Sequence, residues 1–188
     1  GIMFFLAGAD LLQLAVTGAI VGIIGFVYVT SFGPTYAQGR LSSFVSSVAD
    51  VTQADYHVQQ AVIAFNNGGL TGVGLGQGKQ KFGNLPAPHT DSIFAVIGEE
   101  LGLLGTLSLL ALWCGLYLSG LQMLNRLDAR GFSFVAGFVL LTQVVGQALL
   151  NVAVVTAMVP PKGISHPLIS AGGSNLIVSL LALGIVVS

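Results

Sequence analysis

The sequence predicts an all-α polytopic membrane protein, and three observations carry that prediction. Of its 188 residues, 54% are hydrophobic and only 7% charged, where a soluble domain has about a quarter of its residues charged. The apolar residues come in runs of about 20 or more, the length an α-helix needs to cross a hydrocarbon core of about 30 Å. The 26 glycines suit membrane helices, whose backbones approach closely where side chains are small. Mean hydropathy is +0.89, in keeping with all three. A net charge of -1 argues against a nucleic-acid binder. The single cysteine, Cys114, lies inside an apolar run, which removes a disulfide framework and a thiolate metal site.

The elements follow in chain order, within one membrane domain over 1–188. Residues 2–8 read as the tail of a membrane helix, and Ala9 with Asp10 as a tight turn. Stretch 2–8 lacks the basic region of a signal peptide. Stretch 176–188 would span only about 20 Å as a helix. Both ends are therefore expected to be cuts through membrane helices. Residues 11–30 form the first full span, interrupted only by Gln13 and Thr17 and followed by Pro34.

Loop 31–90 differs in kind, with Arg40, Asp50, Asp55, Lys79 and Lys81 among many Ser, Gln and Asn. Within it, Val58, Ala61, Val62 and Phe65 have the spacing of an amphipathic helix, expected to lie against the bilayer and to be capped by Gly68 and Gly69. GVGLGQG at 72–78 has glycines spaced as in a phosphate loop. No strand precedes it and no βαβ unit surrounds it, so a close-packing loop is the better reading. Lys79 and Lys81, directly after it, are placed to meet an anionic group.

Residues 92–124 read as the second span and 132–159 as the third, ended by Pro160 and Pro161. The loop 160–175 has a re-entrant appearance, and Leu176 opens the last helix. Arg126 and Arg130 put the short loop 125–131 in the cytoplasm by the positive-inside rule. Loops 31–90 and 160–175 then share the external face.

The chemistry is expected around 85–102, LPAPHTDSIFAVIGEELG, which holds three of the seven acidic residues. Asp91 stands at the mouth of a membrane helix, where the helix dipole stabilises a carboxylate and where Thr90 or Asp91 would also serve as a cap. Glu99 and Glu100 lie inside an apolar run, where an ionisable group faces a cavity or takes a structural ion pair. Gln143, Gln147 and Asn151 recur every four residues, a stripe suited to interhelical hydrogen bonds or to a cavity wall. Lys162 and His166, either side of Gly163, read as interfacial anchors or site residues. His57 and His89 have no HxxxH or HxxE pairing, so no metal site is preformed.

Together these stretches resemble the FtsW/RodA/SpoVE family, the SEDS proteins. The run GLTGVGLGQGKQKFGNLPAPHTDSIFAVIGEELG is similar to the family pattern GxGxGxxxxK, LPExHTDFIFA, EELG. QALLN at 147–151 matches QxxxN, and PPKGISHPLISAGGSN at 160–175 matches PTKGxxLPxISYGGSS. FLAGADL at 5–11 and the stretch 36–41 also fit, so the similarity covers essentially the whole chain. The PxKG form, with Lys162, resembles the division branch, FtsW, rather than the elongation branch, RodA.

The resemblance implies about four transmembrane helices of a ten-helix SEDS fold with a large extracellular loop. It implies a peptidoglycan glycosyltransferase that polymerises lipid II on the outer face of the bacterial cytoplasmic membrane, at the division septum. A class B penicillin-binding protein and other division proteins would be its partners. It maps the family's essential aspartate onto Asp91, the expected catalytic base. Lys79, Lys81, Lys162 and Arg40 are then candidates to neutralise the substrate diphosphate, with His89, Gln147 and Asn151 as further substrate-binding residues. A divalent cation, Mg or Mn, is a candidate for the same role, with no metal-ligating residue assigned.

Ala87, Ser92, His166, Ala171 and Asn175 depart from the family pattern (Glu, Phe, Leu, Tyr and Ser). They bear on specificity and efficiency more than on reaction class. Two other readings are a lipid flippase or transporter and a catalytically idle division scaffold. Transport favours ionisable groups at mid-membrane depth, whereas 11–30, 132–159 and 176–188 carry no charge.

Overall fold

Five α-helices and one 3-10 turn make up the described part of the computed structural model, which is residues 10–31, 56–83, 85–126, 131–159 and 162–187. They are α1 (Leu11–Ser31), α2 (Tyr56–Gly68), the turn Gln80–Phe82, α3 (Ile93–Leu124), α4 (Phe132–Val155) and α5 (Gly173–Val187). No strand occurs among the described residues. Helices α1, α3 and α4 are long and apolar enough to cross a membrane. The all-α membrane class expected from composition is the one observed.

Helix α1 opens on Asp10, whose Oδ1 accepts the Leu12 N–H at 3.2 Å as a cap, while the expected helix tail 2–8 and Ala9 of the expected turn lie outside the described residues. The Thr17 hydroxyl donates to the Gln13 carbonyl at 2.7 Å, which satisfies a polar group in an otherwise apolar helix. Its large apolar side chains, from Leu11 to Tyr28, face outward, as lipid or neighbouring helices require.

Helix α2 is the amphipathic helix the spacing predicts, but its buried face is Val58, Ala61, Ala64 and Gly68, turned slightly from the expected one. That face packs on the start of α3 rather than serving the bilayer alone. The approach is close enough that a methyl group on Gly68 would stand 2.0 Å from the Gly98 carbonyl oxygen. Gly69 closes α2 with φ +53° and its N–H on the Phe65 carbonyl, as its glycine predicts.

Helix α3 corrects the expectation of one unbroken span over 92–124. It has 32 residues, about 48 Å at 1.5 Å per residue, too long for a hydrocarbon core of about 30 Å. Gly102 breaks it, at φ 67° and ψ -163°. The break removes the helical bonds that Glu99 and Glu100 carbonyls would accept from Leu103 and Leu104, and the loop after α2 replaces them. Leu103 and Leu104 N–H donate to the carbonyls of Gly69 and Leu70 at 2.9 and 3.2 Å, while Val73 and Gly74 N–H donate to those of Glu99 and Glu100 at 3.0 Å each. Backbone groups out of reach of water must be paired, and this exchange pairs the four N–H groups and four carbonyls named. It also explains two glycines. A methyl group on Gly72 would stand 2.1 Å from the Glu100 carbonyl oxygen, and one on Gly102 would stand 2.4 Å from the Gly72 nitrogen. The glycine loop thus packs against broken α3. The segment 103–124, about 33 Å long, suffices to span.

Helix α4 ends at Val155, four residues before the expected 159, and 156–159 turn away with Ala157 at φ 61°. Helices α3 and α4 pack antiparallel through a reciprocal fit: Leu141 seats on Gly120 and Leu124 on Gly137, each leucine buried. Helix α5 starts at Gly173, three residues before the expected Leu176, and packs on α4. The ends near Ile93, Val155 and Gly173 therefore gather on one side, where Asn151 and Ser170 tie the segment 89–91 to the segment 164–171.

Candidate functional site

At that gathered end lies a cavity of about 120 Å³ lined by His57, Val58, Ala61, Asp91, Ser92, Val154, Val155, Lys162 and Gly163. It takes one charged residue from each of two loops: Asp91 from the turn before α3 and Lys162 from the loop between α4 and α5. Among the described residues, the Asp91 carboxylate has no hydrogen-bond or ion-pair partner. Gly163 lies so close that a methyl group there would stand 2.9 Å from Oδ2 of Asp91. The glycine after Lys162 is thus what lets the second loop close over the carboxylate.

The expected cap at Thr90 or Asp91 is not observed. Ser92 is the N-cap of α3, and its hydroxyl donates to the Pro86 carbonyl at 2.9 Å instead of capping. The position of Asp91 is set by its backbone. Three successive carbonyls are each tied down: His89 by the Ala171 N–H at 2.8 Å, Thr90 by the Ser170 hydroxyl at 2.5 Å, and Asp91 by Nδ2 of Asn151 at 2.8 Å. Asn151 also donates to the Ile164 carbonyl at 2.6 Å, so one amide holds both loops. Ala87 and Leu168 bend these loops in the left-handed region, at φ 46° and 63°.

Beneath the loops sits His166, fully buried, with its Nδ1 3.0 Å from Oδ1 of Asn151 and its Nε2 accepting the Trp113 indole N–H at 3.0 Å. Burial lowers its pKa to about 4, which keeps the ring neutral near pH 7.

The structure separates the sequence-expected site residues. Asp91 and Lys162 meet in the cavity, and His89 is exposed next to it on the same turn. Asn151, expected to bind substrate, is 1% exposed, and both its amide hydrogens and its oxygen are engaged within the protein. Nε2 of Gln147 is likewise occupied, by the Ser165 carbonyl at 3.0 Å and by Asn175 at 3.1 Å. Lys81 is tied elsewhere: its ammonium binds Glu100 at 2.6 Å and the Gly76 carbonyl at 2.9 Å, outside the cavity lining. Lys79 is exposed, also outside that lining, with its backbone N–H on Glu99 at 3.0 Å. Arg40 lies outside the described residues. Glu99 and Glu100 follow the structural alternative, since both hold the glycine loop rather than line the cavity.

Sequence reasoning did not place His57, Trp113 or the Ser170 hydroxyl at the site. His57 carries a usable signal, since it precedes Val58 on the buried face of α2 and so enters the cavity with it. Trp113 and Ser170 are set by tertiary packing and have no local signal.

The geometry gives an all-α bundle of apolar helices with two loops closed over one carboxylate and one lysine. By sequence the chain belongs to the FtsW/RodA/SpoVE family, whose model, described as a cell cycle protein, matches residues 1–188. It is 38% identical to a probable peptidoglycan glycosyltransferase FtsW of Geobacter metallireducens, over 100% of this chain and 49% of that protein. It is similarly 38% identical to one of Hahella chejuensis, over 97% of this chain and 46% of that protein. It is 37% identical to stage V sporulation protein E of Bacillus subtilis, over 100% of this chain and 50% of that protein. The chain spans about half the length of the curated relatives it matches.

Proposed function

We propose that this chain carries the outer-face reaction site of a peptidoglycan glycosyltransferase that joins lipid II units into glycan strands during cell division. The single observation that carries the reading is the meeting of Asp91 and Lys162 in one cavity at the end of the bundle opposite the arginine-bearing loop. Glycan extension needs a base on the acceptor hydroxyl and positive charge on the departing diphosphate, with inversion at the sugar carbon. Asp91 takes the hydroxyl proton as the oxygen attacks, a role worth about 10²- to 10⁴-fold in rate. Lys162 faces the diphosphate as its bond to the sugar breaks. The polyprenyl tail lies in the bilayer along the apolar helices, and a class B penicillin-binding protein takes up the product for cross-linking.

The donor set bears on a divalent cation. No group of three or more His, Cys, Asp or Glu residues that could hold a metal ion occurs among the described residues. The cavity offers a carboxylate and an imidazole, which fits an ion brought in on substrate phosphates better than a protein-held cage. Such an ion would supply charge neutralisation at the diphosphate. The absence of charged residues in α1, α4 and α5 favours surface chemistry over a transport path. The reading is tested by polymerisation of labelled lipid II, resolved on gels, by the full-length protein with its penicillin-binding partner. Glycan ladders are expected from the wild type, and their absence under conditions that support a known family polymerase would refute the proposal.

A further inference from the structure

We infer that His166 is a positioning residue for the Asp91 cavity, a neutral imidazole held in its Nδ1–H tautomer that sets where the carboxylate stands; the inference rests on the glycosyltransferase reading of that cavity. The ring is 0% exposed, stacked on Phe94 with centroids 6.3 Å apart and meeting the Trp113 ring edge-on at 5.6 Å. An indole N–H can only donate. Its 3.0 Å bond to Nε2 therefore leaves that nitrogen unprotonated and puts the ring proton on Nδ1. Nδ1–H then donates to Oδ1 of Asn151 at 3.0 Å.

That bond orients the Asn151 amide, turning its two hydrogens toward the carbonyls of Asp91 and Ile164. With the amide reversed, N–H would face N–H at the histidine and oxygen would face oxygen at both carbonyls. Each link decides the next: the indole sets a tautomer, the tautomer sets an amide, and the amide ties together the loops that bring Asp91 and Lys162 to the cavity. The main chain of His166 acts on the same turn from another direction. Its N–H donates to the Ser170 hydroxyl at 2.7 Å, and that hydroxyl donates to the Thr90 carbonyl. Protonation of the ring would set Nε2–H against the indole N–H, donor against donor. A carboxylate one bond sequence away from this clamp responds to its orientation, and a displacement of about 1 Å can cost up to about a hundredfold in rate.

The test uses full-length protein labelled with ¹⁵N-histidine, in lipid, by solid-state NMR. The buried histidine is expected as the Nδ1–H form alone at neutral pH. Trp113→Phe keeps the aromatic wall and removes the N–H, so an Nε2–H form should appear. In lipid II polymerisation by the same samples with the partner, Trp113→Phe should lower kcat about tenfold with KM unchanged. His166→Leu should do at least as much, and the double variant no more than His166→Leu. His166→Gln, which can accept from the indole and donate to Asn151, should recover most of the loss. An Nε2–H or charged ring in the wild type overturns the inference. So does full kcat in inserted Trp113→Phe, or a loss that tracks only KM or protein level. A wild type that makes no glycan yet holds the Nδ1–H form would sink the glycosyltransferase reading while leaving the tautomer lock intact.

Discussion

Two loop-on-helix contacts meet near the start of α3, and they treat carboxylates in opposite ways. Where the glycine loop docks, Glu99 is 1% exposed and its oxygens accept from the Lys79 N–H at 3.0 Å and the Gln80 N–H at 3.1 Å. Glu100 beside it binds Lys81 and the Gly76 N–H. Where the two cavity loops close, Asp91 has its backbone carbonyl tied and its carboxylate turned to the cavity. A carboxylate whose lone pairs are spent on the fold holds a loop in place. One whose main chain is held while its oxygens stay open is available to a substrate. All three residues sit within one short motif, so the distinction lies in tertiary partners and not in spacing.

Neutralising each carboxylate should break the two regions differently. Asp91→Asn should reduce polymerisation of labelled lipid II by at least about a hundredfold while membrane level and partner binding stay as in the wild type. Asp91→Glu should recover little of it, because one added methylene moves the oxygen from its place. Robust glycan chains from Asp91→Asn would end its assignment as base. Glu99→Gln should act through stability instead, because its new N–H₂ has to face backbone donors in a buried site. A loss of about 2 kcal/mol is expected. Thermal unfolding in detergent reads it, and an unchanged midpoint would mean the loop does not depend on that carboxylate.

Lys162 and Lys81 sharpen the contrast at smaller scale. Lys162→Ala should lower polymerisation about tenfold, the worth of one hydrogen bond to a charged group at about 1.5 kcal/mol. Co-purification with the penicillin-binding protein should persist. Loss of that co-purification with full intrinsic activity would instead assign the loop to partner docking. Lys81→Ala should shift the unfolding midpoint more than the rate, since its ammonium serves Glu100.

The smallest expected effect is on pH. The His166 pKa falls from about 6.5 unfolded to about 4 folded because burial disfavours the charged ring. Between those values the unfolded chain binds more protons, so stability is complete above pH 6.5 and is lost as pH falls toward 4. Going from pH 7.5 to 5.5 should cost about 1 kcal/mol through this group. His166→Gln should flatten that part of the stability profile, and an unaltered slope would show that another group carries it.

Much of this was legible in the sequence. The spans announce themselves because lipid requires long apolar helices, and the apolar face of α2 is visible in the spacing of Val58, Ala61, Val62 and Phe65. Asp91 and Lys162 could be singled out because charges are so scarce that each needs a reason. The break at Gly102 was half-legible: about 48 Å of helix is too much for one crossing, yet a glycine inside an apolar run looks like many others here. What makes it a break is the approach of Gly72, from a segment that local pattern cannot place. The internal partners of Asn151 were hidden for a related reason. A polar stripe on a membrane helix can serve substrate or structure, and only the partners on loops 89–91 and 164–166 decide between them. The clamp through Trp113 and His166 joins positions 53 residues apart, so His166 could be noticed in the sequence but its partner could not.

The mended break in α3 has a consequence for how the protein exchanges hydrogen with solvent. The amide protons of Leu103 and Leu104 sit inside one helical run, but their acceptors are Gly69 and Leu70 on another segment. Deuterium uptake at these two positions therefore reports the docking of the glycine loop, independently of any fraying of α3 itself. The chain carries a native pair of isotopic reporters, one residue pair wide, just past the break that divides α3 into its two segments.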